Sequence, residues 1–185
     1  MRNLKPSRKK IFIPKRILLF WDALGIFFVL LVDQLLKDYV TQILENGGSI
    51  VVIDGVLQLT LLKNTGGIFG FLQNQTPFIL FTAGIFILVI LYLLVRLPDK
   101  PRFQILHPVF ACMLAGALGN VTDRLRFGYV IDFIYFVGID FPVFNPDDIL
   151  ISVSVAILIC LLLFYYKEKD FKFLTFKQER YRELK

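Results

Sequence analysis

Four long apolar runs constrain this chain more than any other feature. They cover residues 17–40, 77–95, 103–122 and 149–166. Each comes close to the roughly 20 residues that a helix needs to cross a hydrocarbon core. Lipid offers an open backbone no hydrogen-bond partner, so each run is expected to be a helix. The second and fourth runs carry no charge at all. Of the 185 residues, 56% are hydrophobic, 19% are charged and 20 are Phe. A soluble domain of this length could not hide so much apolar surface. The expected fold is therefore an all-α membrane domain of four transmembrane helices with a small β element, spanning residues 1–185 as one unit.

The net charge of +6 does not point to nucleic acid. Of 21 Lys and Arg, 17 lie in residues 1–16, 96–102 and 167–185, the segments that flank the apolar runs. Such charge sets topology. It predicts that the tails 1–16 and 167–185 share the cytoplasmic side with the 96–102 connection, and that residues 41–76 and 121–148 face outward. A cleavable signal peptide over residues 1–40 fits poorly: the stretch is long, carries Asp22 and has no clear small-residue cleavage site. Cys112 and Cys160 sit inside apolar runs and read as packing residues. A single His leaves no His cluster for zinc.

Residues 41–76 read as non-helical. Ser49–Ile53 and Val56–Leu62 are β-rich and flank Asp54-Gly55, a strong hairpin signal. The strands are apolar on more than one face, which predicts a small extracytoplasmic cradle between helices 1 and 2, lying against membrane or lipid. Gly66-Gly67 breaks the pattern. The Phe171, Phe173 and Phe176 spacing among lysines reads as an interfacial anchor.

Nine of the 15 acids fall on the predicted outer side. Asp132 is the one charge within Gly128–Phe136, among aromatic and β-branched neighbours. It is either an exposed loop acid or a desolvated carboxylate with a raised pKa. Asn145 can cap the fourth helix with Pro146 at its first position, which places Asp147 and Asp148 in the first turn, where the helix dipole favours acids. Two carboxylates held close at the mouths of apolar helices can instead share a proton, so that one activates water and the other polarises a carbonyl. His107 is expected near the cytoplasmic face, about 20 Å along the helix from Asn120, too far for a Ser-His-Asp arrangement. It reads as a helix-start feature. A Ser49–Lys63 pair has no local support. Asp33 and Lys37, one turn apart, can form an ion pair. Arg124 either neutralises Asp123 or binds a lipid phosphate. Intramembrane acids also mark transport pathways, and an apolar cradle also suits a non-catalytic lipid-binding protein. The acids here gather on one side, and no repeat symmetry accompanies them.

Four motifs in order carry a resemblance. They are Asp33-Gln34-Leu35-Leu36-Lys37, then Asn64-Thr65-Gly66-Gly67-Ile68-Phe69-Gly70, then Gly119-Asn120-Val121-Thr122-Asp123-Arg124 followed by Gly128-Tyr129-Val130-Ile131-Asp132-Phe133, and finally Phe144-Asn145-Pro146-Asp147-Asp148. Together they resemble the lipoprotein signal peptidase (type II signal peptidase) family. Gly67-Ile68 departs from that family's usual Ala-Ala, and Asp147 stands where it usually has Ala.

The resemblance implies an intramembrane aspartyl endopeptidase. It would cleave diacylglyceryl-modified prolipoproteins just before the lipidated Cys, with Asp132 and Asp148 catalytic. Asn64, Gly66, Asn120, Asp123, Arg124 and Asn145 map onto supporting or substrate-contacting positions, and Asp33 and Lys37 onto a structural motif. No metal or organic cofactor is implied. The expected partners are the lipidated precursor and membrane lipids, with no nucleic acid. The expected state is a monomer in the bacterial cytoplasmic membrane, its site on the extracytoplasmic side.

Overall fold

A computed structural model describes residues 12–67, 72–73 and 75–174. The basic N-terminal arm before residue 12, Ile68-Phe69-Gly70 of the second motif, and Phe176 with the rest of the C-terminal tail lie outside the described residues. Four long helices and one small sheet follow in the order α1 (Lys15–Leu44), β1 (Ser49–Ile53), β2 (Leu57–Asn64), α2 (Thr76–Arg96), α3 (Leu106–Phe127), β3 (Val130–Phe136) and α4 (Pro146–Phe164). All four helices are long and apolar enough to cross a membrane.

The third helix is the hub. It packs against α1, α2 and α4, whereas the three outer helices make little contact with one another. Of its apolar stretch 61% is buried, against 11% in each outer helix. The reason is composition: Ala115, Gly116, Ala117 and Gly119 are small, and small residues let helix backbones approach closely. A Cβ on Gly116 would stand 2.6 Å from the Asp147 carbonyl oxygen and 2.9 Å from Ile151 Cγ1, so α4 could not dock over a larger residue. Large apolar side chains of the outer helices, among them Trp21, Phe27, Phe81 and Leu163, remain exposed and form the surface that lipid would cover.

The main apolar core surrounds the first half of α3, with Phe103, Leu106, Phe110 and Leu114 packed against Ile90, Leu94 and Tyr166. At this end the Gln104 amide donates to the Ile13 carbonyl, the Lys15 amide to Asp99, and Arg96 to the Phe173 carbonyl. The start of α1, the α2–α3 connection and the segment after α4 therefore share one end of the bundle.

The sheet occupies the other end, in the order β1-β2-β3, all antiparallel. The hairpin turns at Gly55 (φ 65°), a left-handed conformation that glycine adopts without strain. The sequence assigned no third strand, yet 130–136 supplies one, so the sheet draws on segments from both sides of α2 and α3. Residues 41–44, read as non-helical, complete the last turn of α1. Arg124 and Arg126, counted with the outer loop, stand on α3, which runs on to Gly128 (φ 82°) as its left-handed cap. Strand alternation sends Ile131 and Phe133 of β3 against Val40 and Leu44 of α1. Asp132 points to the opposite face. Phe144 bridges back to Ile134, with Phe144 N donating to Ile134 O at 3.0 Å. That bridge delivers Asn145 and the start of α4 beside β3.

Candidate active site

Asp132 is 1% exposed. Asn64, at the end of β2, donates from Nδ2 to Asp132 Oδ2 at 2.8 Å, while its own Oδ1 accepts from the Gly66 amide at 3.0 Å. Asn145 Nδ2 donates to Asp132 Oδ1 at 2.6 Å and to Asn120 Oδ1 at 3.1 Å. Asn120 Nδ2 donates to Asp148 Oδ1 at 2.9 Å. The Asn145 backbone N–H donates to Asp148 Oδ2 at 3.2 Å, and Asp148 N–H returns a bond to Asn145 Oδ1 at 3.1 Å. Those last two bonds form a capping box, with Pro146 at the first helical position. Each of the four carboxylate oxygens thus accepts one amide N–H. Residues from β2, β3, α3 and α4 meet in a single network.

Arg124 closes its rim. Its guanidinium donates to the Gly66 carbonyl at 2.8 Å and to the Asn120 carbonyl at 3.3 Å, and its charge lies within electrostatic reach of both Asp132 and Asp148. Burial raises the Asp132 carboxyl from 3.8 to about 6. The hydrogen bond from Asn64 opposes that rise, the nearby Asp148 charge adds to it, and the Asn145 bond again opposes it. Asp132 is thus the desolvated member of the pair, and Asp148 is only partly buried. Two such carboxylates can hold one proton between them and act on a water and a carbonyl together.

A second polar cluster lies behind the first. Lys37 of α1 is 1% exposed and reaches Asp33 at 3.0 Å, Asp123 at 2.9 Å and Asp147 at 2.6 Å. An ammonium has three N–H donors, one for each carboxylate here. Asp123 also accepts from Gln34 Nε2 at 2.8 Å and from the Ile131 backbone N–H at 3.2 Å. Arg124 forms no direct ion pair with Asp123; its guanidinium bonds the Gly66 and Asn120 carbonyls instead. At 0% exposure Asp123 supports the site and offers no face to a substrate. Lys37 is likewise a buried hub, joined to three acids rather than to Asp33 alone. Gln34 joins this cluster through Asp33 and Asp123, and its place one residue after Asp33 is the one trace of that role in the sequence.

His107 is not a bare helix start. Its Nδ1 lies 2.6 Å from Asp22 Oδ2, in a buried pair linking α1 to α3 on the far side of the bundle from the carboxylate network. In the sequence Asp22 shows only as a charge inside an apolar run; its partner comes from the packing of α1 on α3. Ser49 and Lys63 both stand toward the open end of the hairpin, but Ser49 pairs with Thr60 while Lys63 pairs with Ile131 and lies over the Tyr129 ring. Among the described residues, no group of three or more His, Cys, Asp or Glu is arranged to hold a metal ion.

Comparison with known proteins gives a consistent result. The family described as Signal peptidase (SPase) II matches residues 25–164. A lipoprotein signal peptidase from Caldanaerobacter subterraneus subsp. tengcongensis is 38% identical over 138 residues, covering 74% of this chain and 92% of the relative. One from Syntrophus aciditrophicus is 37% identical over 169 residues, covering 84% and 99%. A bacterial membrane enzyme solved by the in meso method at 2.3 Å resolution superimposes with a TM-score of 0.69 at 29% identity, over 85% of this chain and 93% of that one.

Proposed function

The chain belongs to the signal peptidase II family, and from that premise we propose that it cleaves lipidated precursors with Asp132 and Asp148 as an aspartyl pair. It is a multi-pass membrane hydrolase that removes signal peptides from prolipoproteins. The finer reading concerns how it does so. The observation that carries it is the amide network in which Asn145 binds both carboxylates while Asn64 and Asn120 hold their outer oxygens.

In this reading, the buried Asp132 carries the shared proton and hydrogen-bonds the scissile carbonyl. The more accessible Asp148 takes a proton from water as its oxygen attacks the carbonyl carbon. The tetrahedral intermediate collapses as the C–N bond breaks. The proton taken by Asp148 passes to the leaving amine of the lipidated Cys, and the signal peptide departs as the carboxylate. Arg124 fixes the Gly66 carbonyl at the rim, where an extended substrate backbone would lie.

In this reading the pole that holds Lys15, Arg96 and Arg102 is cytoplasmic by the positive-inside rule. The sheet and the carboxylate network then face the extracytoplasmic side of the plasma membrane. There the β1–β2 hairpin, whose Ile50, Val51, Val52 and Ile53 are all exposed, lies in the lipid interface as the substrate's cradle. The chain acts as a monomer, with membrane lipids covering its outer helices.

The test is cleavage of a diacylglyceryl-modified prolipoprotein in nanodiscs by wild type, Asp132→Asn and Asp148→Asn. Loss of at least about 10³-fold in kcat in each variant is expected. Wild-type turnover by either folded variant would remove it from the catalytic pair.

A further inference from the structure

We propose that Asp147 is a positioning residue: by binding Lys37 it fixes the rotation of the first turn of α4, and so aims Asp148 at the amide network. The inference rests on the catalytic reading above and deepens it. Neighbouring residues on a helix diverge by about 100°. Asp148 therefore faces Asn120 and Asn145, while Asp147 faces α1, where it meets Lys37 at 2.6 Å.

The seat for Asp147 is built into α3. A Cβ on Gly119 would overlap the Asp147 carboxylate, and Gly116 admits the Asp147 backbone. Directly beside this bond α1 and α4 face each other across a groove whose other lining includes Phe28, Val32, Leu36 and Leu150. The Lys37–Asp147 bond thus links two helices that otherwise barely touch.

The same ammonium reaches the other half of the site. Lys37 holds Asp123, and Asp123 accepts from the N–H of Ile131, the residue before Asp132. One buried cation therefore anchors the chain neighbour of each catalytic carboxylate.

Removing Asp147 strands no charge, because Lys37 keeps Asp33 and Asp123. Asp147→Ala therefore separates positioning from folding. The experiment compares wild type, Asp147→Ala, Asp147→Asn and Asp148→Asn on a diacylglyceryl-modified prolipoprotein in nanodiscs, reading kcat, KM and the melting temperature. Asp147→Ala is expected to lower kcat about 5- to 20-fold with KM unchanged within about twofold, since small misplacements of reacting groups act on the chemical step. Asp147→Asn keeps an acceptor oxygen for Lys37 and restores most of kcat. Asp147→Ser fits the seat but stops short of Lys37, and it gives the same reading should the alanine variant fail to insert. Wild-type kcat in Asp147→Ala or Asp147→Ser, with Asp148→Asn inactive, overturns this proposal alone. So does a loss that Asp147→Asn fails to relieve. An active Asp148→Asn overturns the catalytic reading beneath it.

Discussion

The side-chain amide of Asn145 meets the Asp132 carboxylate at 2.6 Å, while the backbone N–H of the same residue meets Asp148 at 3.2 Å. One residue thus caps a membrane helix and spaces two acids. The capping box that starts α4 is also the frame of the site, so helix initiation and acid placement are one event.

Asn145→Ala should therefore lose on two counts. The helix cap is worth about 1 kcal/mol, and a donor to each carboxylate is removed or misplaced. We expect kcat to fall at least about 100-fold, with a melting temperature only a few degrees lower. Asn145→Asp keeps the cap but buries a third charge between the two acids, and should be as inactive and melt below wild type at neutral pH.

Asp132 predicts a pH dependence with a definite sign. Its carboxyl is raised to about 6, chiefly by burial. If it must be protonated to polarise the carbonyl, kcat/KM declines as pH rises through about 6. The Asn64 hydrogen bond pulls this value down, so Asn64→Leu should move the alkaline limb to higher pH. Stability follows the same linkage. The folded protein binds more protons than the unfolded chain between about 4 and 6, so Asp132 erodes stability as pH rises across that window. Asp132→Asn should accordingly melt higher than wild type at pH 7.5 and show little advantage at pH 4, measured by thermal denaturation in detergent.

Gly119→Ala and Gly116→Ala should each push α4 off α3. Overpacking of this kind costs about 1–3 kcal/mol, and both variants should lose most of their cleavage activity. Gly25→Ala and Gly84→Ala place their methyl groups in open space and should be neutral or slightly stabilising, because glycine within a helix is about 0.5–1 kcal/mol worse than alanine. Melting curves of the four variants distinguish close approach from helix propensity.

The His107–Asp22 pair should matter for stability and not for turnover. Breaking one partner of a buried pair costs about 3–5 kcal/mol, whereas replacing both by apolar residues is often neutral. Asp22→Leu or His107→Leu alone should lower the melting temperature sharply. The double variant should recover most of the loss, with kcat near wild type throughout. Additive losses would mean that the two side chains are not coupled.

Much of the site was legible because its residue types are conspicuous in an apolar chain. A carboxylate at position 132 among Val, Ile, Phe and Tyr demands a reason, and Asn145-Pro146 marks a helix start on its own. Asp33 and Lys37 could be paired from helical spacing alone. What could not be read was direction. Asp147 and Asp148 are adjacent and chemically identical, and no local rule says which one faces the network and which one faces Lys37. The hydrogen-bond partners of Asp123 were not legible for the same reason, since adjacency to Arg124 says nothing about where either side chain goes.

The sequence by itself determined four apolar helices and a hairpin turning at Asp54-Gly55. These follow from local physics: transfer of apolar side chains from water, backbone hydrogen bonding in lipid, and the left-handed freedom of glycine. The tertiary structure alone decided that α3 stands at the centre, that 130–136 joins the sheet as a third strand, and that Lys37 gathers acids from three positions. Those outcomes depend on contacts between segments far apart in the chain. Helix rotation, strand register and the small surface of Gly116 and Gly119 select them, and none leaves a periodic mark in the sequence.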